Sequence, residues 1–430
     1  MNTPKKIKEL QMIITDFFTS DNLNHIADNA DELESMVEMV LIMFNGSSIT
    51  KDVVINATIR RLIKEKIEII PPIYTDAELL RIKNQIIELK KTKQPEQRTA
   101  EWYEFRKNRL TASDLATAIN ANPYGNRGRL VASKCGFKDS FKPGAAIIHG
   151  VKYESVATHL YEVMNNTTIY EYGCVPHPTI EYFAASPDGI CEYSTDNRNY
   201  SGRMLEIKCP KSRTLTGFVP VYYELQIQGQ LEVCNLEYCD YLECVFKEYS
   251  SYNEFISDSN VDDICKTKAG QYRGAIFEIY NYGTKSYEYQ YVYEFEDRNA
   301  IEKWEESEIE KIFDSPTYDY IGTTYWYLEK YDTILVKRDI ERFSKIKEDI
   351  HHFWADVLKH RKEGYESLLK PKKKSESTFT KEYVPPLMEF LPETDDEDAA
   401  TNVADAATNV ADAVTNVADA ATNVADAATA

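Results

Sequence analysis

The 430-residue sequence predicts a mixed α/β (α+β) protein, a central mixed sheet flanked by helices, and three observations carry that expectation. Between about residues 98 and 369, short β-branched and aromatic runs alternate with stretches of helical period. Ahead of that region only helical stripes occur. Behind it the core pattern stops.

Taken in order, Ile7, Leu10, Ile14, Phe17 and Phe18 recur at helical spacing, as do Leu33, Met36, Val37, Val40 and Phe44. A third stripe runs from Val54 to Ile67 and ends before Pro71-Pro72, and a fourth spans about Asp76 to Lys91. These stripes predict a helical N-terminal domain over residues 1–97, whose function its residues do not express. The polar segment Lys91–Thr99 reads as a linker.

The mixed region, residues 98–369, has predicted strands at Tyr182–Ser186, Met204–Cys209, Tyr241–Phe246, Ala275–Tyr280, Tyr287–Phe295 and Thr333–Val336. Helices are predicted at about Ser113–Ala121, Lys152–Met164 and Val221–Cys234, and a last one carries Phe343, Ile346, Ile350, Phe353 and Val357 on one face. Residues 249–326 are acidic and Tyr-rich and read as an insertion or elaboration on the core. Residues 370–430 open with the basic run Lys370-Pro-Lys-Lys-Lys-Ser, either a nuclear import signal or a solvated linker. Acidic residues follow, then seven-residue repeats marked by Val403, Val410, Val417 and Val424. One Val per heptad is too thin a seam for a coiled coil, so this tail reads as low-complexity and disordered.

Composition narrows the classes. The formal charge is −20, but residues 389–430 hold ten acidic groups and no basic one, so half of the excess sits in the tail. From Arg98 to Gly150, nine Lys/Arg stand against four Asp/Glu. An acidic whole argues against loose coating of nucleic acid and leaves room for one focused basic cleft. The longest purely apolar stretch, Met39–Phe44, is far short of the roughly 20 residues a spanning helix requires. Met1-Asn-Thr-Pro-Lys-Lys lacks an apolar signal core, and eight cysteines without a CxxC suit a reducing compartment. The expectation is an intracellular protein, neither secreted nor membrane-bound. The spacing of Cys234, Cys239 and Cys244 reads as scattered thiols rather than an iron–sulfur remnant.

The chemistry concentrates in Ala184-Ala-Ser-Pro-Asp-Gly-Ile190 and Met204-Leu-Glu-Ile-Lys-Cys-Pro210. Pro187-Asp188-Gly189 makes a turn that places a carboxylate at a sheet edge. In the next strand, alternation puts Glu206 and Lys208 on one face and Leu205 and Ile207 on the other. If the two strands pair across the seventeen intervening residues, two carboxylates and an ammonium converge. Two close carboxylates repel unless a cation sits between them, and a hard, oxygen-seeking Mg²⁺ is the natural occupant, with the Ile207 carbonyl as a third ligand. Lys208 beside such an ion is expected to have a lowered pKa and to position or deprotonate an attacking water. That chemistry is metal-assisted phosphodiester hydrolysis. Glu-x-Lys alone is unspecific, since Glu88-Leu89-Lys90 matches it too. On these two windows alone, an ordinary turn and a surface ion pair would account for the residues as well.

Neighbouring motifs add a resemblance. Asp188 with Glu206-x-Lys208 resembles the signature of the PD-(D/E)XK nucleases. The fuller set resembles the phage lambda exonuclease and YqaJ-like viral recombinase family. Its motifs stand in order: Glu101-Trp-Tyr-Glu-Phe-Arg-Lys-Asn-Arg-Leu-Thr-Ala-Ser113, His149-Gly-Val-Lys-Tyr-Glu154, Ser186-Pro-Asp-Gly189, Leu205-Glu-Ile-Lys-Cys-Pro210 and Glu224-Leu-Gln-Ile-Gln228. The resemblance covers roughly residues 98–248 and resumes more weakly at Thr333–His360. It implies a restriction-endonuclease-like core.

The resemblance also implies roles. Asp188, Glu206, Lys208 and Gln226 would be catalytic. Asp188, Glu206, the Ile207 carbonyl and Glu154 would hold Mg²⁺, with Mn²⁺ able to substitute. Arg106, Lys107 and Ser113 would bind a 5′-phosphate, Lys107 more loosely. The residues themselves agree with that last role: Thr111 is a candidate helix cap, and exposed N–H groups beside Ser113 and Arg106 would suit an anion. His149 reads as packing. Two departures stand out: the Asp188-to-Glu206 spacer is longer than in the phage enzyme, and Lys107 stands where a second Arg is usual.

The implied activity is a Mg²⁺-dependent 5′→3′ exonuclease on double-stranded DNA, in viral recombination or genome processing. The implied partners are DNA, a single-strand annealing protein and further copies of the chain, phage relatives being trimers; the compartment would be host cytoplasm or nucleus. Arg98–Gly150 together with Arg203, Lys208, Lys211 and Arg213 would line the DNA channel. Two rivals stay open: a structure-specific endonuclease of the same superfamily, and a non-catalytic DNA-end scaffold.

Overall fold

The computed structural model describes residues 40–41, 74–138, 144–213, 215 and 217–369. The first three predicted N-terminal helices, apart from Val40 and Leu41, and the whole tail lie outside the described residues.

Helix α1 (Asp76–Lys91) opens on a capping box in which the Thr75 N–H donates to Glu78 Oε2 at 2.7 Å. Its buried face, Leu79, Ile82 and Ile86, packs against Tyr193 and Tyr238 of the mixed region rather than forming a module apart. The predicted linker is equally engaged. Pro95 is buried, and Gln97 Nε2 donates to the carbonyls of Tyr172 (2.7 Å) and Pro187 (3.3 Å), so this strap holds the turn that carries Asp188. Helix α2 (Ala100–Lys107) follows, its first turn capped by the Thr99 hydroxyl, which accepts from Trp102 N–H at 3.2 Å.

Next come β1 (Leu110–Thr111), a short 3₁₀ turn at Ala112–Asp114, α3 (Leu115–Ala118), α4 (Arg127–Lys134) and the long α5 (Ala145–Asn165). Strands β2 (Ile169–Tyr170), β3 (Val175–Pro176), β4 (Phe183–Ala185), β5 (Gly189–Cys191) and β6 (Met204–Lys208) lead into α6 (Val221–Cys234). Then follow β7 (Tyr238–Glu248), α7 (Tyr252–Ser257), β8 (Arg273–Asn281), β9 (Ser286–Val292), α8 (Arg298–Ile312), β10 (Tyr318–Lys337) and α9 (Ile340–Glu363).

Seven strands form the main sheet in the order β2-β5-β6-β7-β10-β8-β9, with β6 and β7 parallel and every other pair antiparallel. The expected central mixed sheet between helices is therefore present. A small second sheet, β1-β4-β3, lies beside it. Helices α6 and α9 cover one face of the main sheet, packing on Met204, Cys239, Tyr241 and Val336. Helix α5 covers the other, through Tyr153, Val156, Leu160 and Tyr161 against Leu205, Ile207 and Leu242. Gly229 allows α6 to approach closely, since a Cβ there would lie 3.1 Å from Ala112 Cβ and 3.2 Å from the Phe183 ring.

The acidic, Tyr-rich stretch does more than decorate the core. Strands β8 and β9 and the twenty-residue β10 continue the same sheet. The eight cysteines are all free. Cys239 packs on the α6 side of the sheet and Cys244 on the α5 side, so the sequence triplet is not a cluster. Among the described residues no helix is long and apolar enough to cross a membrane.

Candidate active site

The two chemistry-bearing windows meet. Strands β5 and β6 pair antiparallel with Gly189 opposite Leu205, which sets Asp188 beside Glu206 at the end of the ladder. Asp188 Oδ2 accepts the Ile207 N–H at 2.7 Å. Gly189 is required here: a Cβ would lie 2.2 Å from Ile169 Cγ2 of β2. The alternation along β6 is as expected, with Leu205 and Ile207 in the α5-side core and Glu206 and Lys208 on the α6 side.

Glu206 is fully buried and every oxygen is occupied. Lys208 Nζ and Gln226 Nε2 donate to Oε1, the latter at 2.7 Å, and Gln230 Nε2 donates to Oε2 at 2.8 Å. Gln230 also reaches the Ser186 carbonyl at 3.2 Å, while its own Oε1 is buried without a hydrogen-bond partner. Gln230 carried no expected role, although its spacing of four from Gln226 on one helix face was the available signal. Lys208 also lies over the Tyr223 ring at 4.8 Å, a contact no motif announced.

Charges crowd this pocket. Burial, and then the Glu206 charge, push the Asp188 carboxyl well above its ordinary range, against the pull of Lys208. Burial works to lower the Lys208 ammonium, but Glu206 and Asp188 outweigh it and hold the group above its ordinary value. The two adjacent carboxylates favour the charged form of this lysine.

Glu154 on α5 adds to the negative field at Asp188 but turns to Arg98, whose Nη2 lies 3.2 Å from Glu154 Oε2. Arg98 sits at φ 64°, in the left-handed region that residues other than glycine rarely adopt. Among the described residues no three His, Cys, Asp or Glu side chains are gathered as a metal-binding group. The donor set still fits a divalent cation: the buried Glu206 and the partly buried Asp188 carboxylates repel, Asp188 is driven toward its neutral form, and the Gln230 carbonyl oxygen beside them has no donor.

Arg106 and Ser113 come together, Nη2 donating to Ser113 Oγ at 3.2 Å, with the guanidinium stacked 4.3 Å from the Trp102 ring centre. The expected cap does not form. Thr111 makes no capping bond and instead donates to Asp114 Oδ2 at 2.8 Å. Thr111 and Asp114 are buried, so this helix start does not present the exposed end expected of it. Lys107 is exposed and only loosely paired with Glu104, at 3.9 Å.

Of the expected channel residues, Arg203 is 3% exposed and paired with Asp240 at 3.4 Å on the α5 side of the sheet, away from Glu206. Lys208 is buried against Glu206. Neither lines a surface channel, because each is consumed by a buried carboxylate. Arg213 binds the buried Glu243 and keeps a buried Nη1 without a partner, and Lys211 is exposed. His149 packs on Tyr153 with ring centres 4.6 Å apart, as expected of a structural residue.

Residues 101–237, which hold the Asp188, Glu206 and Lys208 cluster and the Arg106–Ser113 contact, match the family model of the YqaJ-like viral recombinase domain. The resemblance expected from the motifs is borne out over that span. A protein of Acanthamoeba polyphaga mimivirus is 32% identical over 331 residues, covering 71% of this chain and 60% of the relative. A protein of African swine fever virus is 29% identical over 160 residues, covering 32% and 46%. The chain thus spans about half to three-fifths of the length of the curated relatives it matches. Among solved structures, an alkaline exonuclease from Laribacter hongkongensis matches with TM-score 0.36 and 18% identity, over 61% of this chain and 94% of that one. A phage-related exonuclease from Haemophilus somnus matches with TM-score 0.32 and 14% identity, over 58% and 94%.

Proposed function

We propose that the protein is a Mg²⁺-dependent deoxyribonuclease that degrades double-stranded DNA from 5′-phosphorylated ends. The observation that carries the reading is the β5–β6 register, which sets Asp188 against the Ile207 N–H beside the Glu206–Lys208 pair. The match to a viral recombinase domain supports a DNA substrate.

Asp188 and Glu206 would hold Mg²⁺, or Mn²⁺ in its place, and the ion would supply Lewis-acid charge at the scissile phosphate. Gln226 and Gln230 keep the Glu206 carboxylate fixed by donating to both of its oxygens. Lys208, hydrogen-bonded to Glu206, would position or deprotonate the attacking water. Glu154 is within reach of the same field and is available once Arg98 lets go. Arg106 and Ser113 take the terminal phosphate, with the planar guanidinium already braced by Trp102.

The test is digestion of end-labelled linear duplex and of a covalently closed circle, with Mg²⁺ and with chelator. The wild type is expected to shorten the linear duplex from 5′-phosphorylated ends and to spare the circle. Lys208→Ala is expected to bind duplex while losing roughly 10³-fold or more in cleavage rate. Undiminished cleavage by Lys208→Ala would remove the mechanism, and cutting of the circle would favour an endonuclease.

A further inference from the structure

We infer that the buried Lys134–Asp114 ion pair positions the Arg106–Ser113 grip and thereby sets the enzyme's preference for a 5′-phosphorylated end. The inference rests on the nuclease reading for the identity of that anion.

The geometry is a closed circuit. Lys134 Nζ donates to Asp114 Oδ2 at 2.8 Å and to the Arg106 carbonyl at 3.2 Å. Asp114 Oδ2 accepts the Thr111 hydroxyl at 2.8 Å, Thr111 Oγ1 lies 3.1 Å from Ser113 Oγ, and Ser113 Oγ accepts from Arg106 Nη2 at 3.2 Å. The circuit leaves Arg106 through its backbone and returns to its guanidinium. It ties together α2, β1, the 3₁₀ turn and α4.

Proton counting gives the circuit a direction. Thr111 has one O–H and commits it to the carboxylate, so toward Ser113 its oxygen can only accept. Ser113 therefore turns its O–H to Thr111 and offers a lone pair to the guanidinium. Both hydroxyl protons are thus committed in order from Ser113 to Asp114. The carboxylate and ammonium that close the ring are 3% and 5% exposed. A buried ion pair is a weak source of net stability, and an apolar pair of the same shape often does as well. What an apolar pair cannot do is hold the Arg106 carbonyl and the Thr111 hydroxyl at fixed positions. A guanidinium braced at head, face and backbone has less freedom to lose when it takes up a phosphate.

Arg361 gives an internal control. From α9 it donates to the carbonyls of Lys134 (2.8 Å) and Lys107 (3.2 Å), bracing the same two helix ends without touching any side chain of the circuit. A role confined to stability would be shared with Arg361, whereas a role in end recognition would not.

The experiment measures steady-state cleavage in Mg²⁺ of duplexes that differ only in a 5′-phosphate or a 5′-hydroxyl. It uses the full chain, the double variant Asp114→Asn with Lys134→Met, Thr111→Val and Arg361→Ala, each checked by circular dichroism and thermal unfolding. The expected result is a wild-type preference for the phosphorylated end that falls roughly tenfold in the double variant and in Thr111→Val. The fall should be carried by KM rather than kcat, with the preference intact in Arg361→Ala. If the double variant does not fold, Thr111→Val decides, since it keeps the ion pair and the volume. A wild-type preference in both circuit variants, or an equal fall in Arg361→Ala, would overturn the inference and leave the nuclease reading standing. Wild-type cleavage indifferent to the end would overturn it together with the grip. A wild type that cuts neither duplex would overturn the nuclease reading itself.

Discussion

Trp102 donates its indole N–H to the Ser186 hydroxyl at 3.2 Å, and this bond joins the Arg106–Ser113 pair to the carboxylate pocket. The same indole lies under the Arg106 guanidinium, and Ser186, two residues before Asp188, accepts from Gln230 through its carbonyl. Trp102→Phe keeps a ring beneath Arg106 but leaves the Ser186 hydroxyl without its donor. The expected cost is about 1–2 kcal/mol of unfolding stability, read as a lower urea midpoint at unchanged slope. An unchanged midpoint would mean that the bond carries no weight.

Gln226 and Gln230 act on opposite oxygens of one carboxylate. Each single change to Leu should lower kcat/KM by about 10–100-fold, the usual effect of losing a group that orients a ligand. The double change should cost less than the product of the two, because the glutamines hold one carboxylate as a unit and losing either already frees it. Kinetics of the four proteins in one buffer measures this. Full multiplicativity would show that the two act independently.

Some of this architecture is legible in the sequence and some is not, and the difference is physical. Glu206-x-Lys208 in a strand with apolar neighbours, the turn at Pro187-Asp188-Gly189 and helix α6 follow from period and turn chemistry. Strand β10 is legible only near its end, at Thr333–Val336. Its register shifts between Tyr320 and Gly322 and again between Leu328 and Lys330, which breaks the two-residue alternation that would reveal a twenty-residue strand. The burial of Arg203 is equally hidden, because its partner Asp240 lies on a parallel neighbour thirty-seven residues away. A capping motif at Thr111 is locally plausible but yields to Asp114, whose need for a hydrogen-bond donor is greater once it is buried beside Lys134.

Asp188 and Glu206 make the pocket a site where cation binding and stability are linked. Millimolar Mg²⁺ or Mn²⁺ should raise the thermal midpoint by about 2–4 °C if the ion reaches tenfold over its dissociation constant, and chelator should reverse the shift. Asp188→Asn removes one of two repelling carboxylates and keeps an acceptor for the Ile207 N–H. It should stabilise the metal-free protein by up to about 1 kcal/mol while abolishing the Mg²⁺-induced shift. Calorimetric scans of both proteins with and without the ion decide it. A Mg²⁺ shift retained in Asp188→Asn would place the cation elsewhere.

His149 predicts how the fold responds to acid. Burial lowers its pKa to about 4, the Glu248 charge pulls it back upward, and Lys152, Lys211 and Lys247 push it down again. A histidine held neutral in the fold is fully accommodated above its unfolded value near 6.5, where neither state binds the proton. Between about 6.5 and 4 the unfolded chain takes up a proton that the folded one refuses, so stability falls as the pH drops through that window. The contribution is at most about 3 kcal/mol across the full window. His149→Phe keeps a ring against Tyr153 and has nothing to titrate. Between pH 6.5 and 5, above the range where most carboxylates protonate, urea unfolding of the wild type should lose stability more steeply than that of the variant. Parallel slopes for the two proteins would show that His149 titrates in the fold as it does in water.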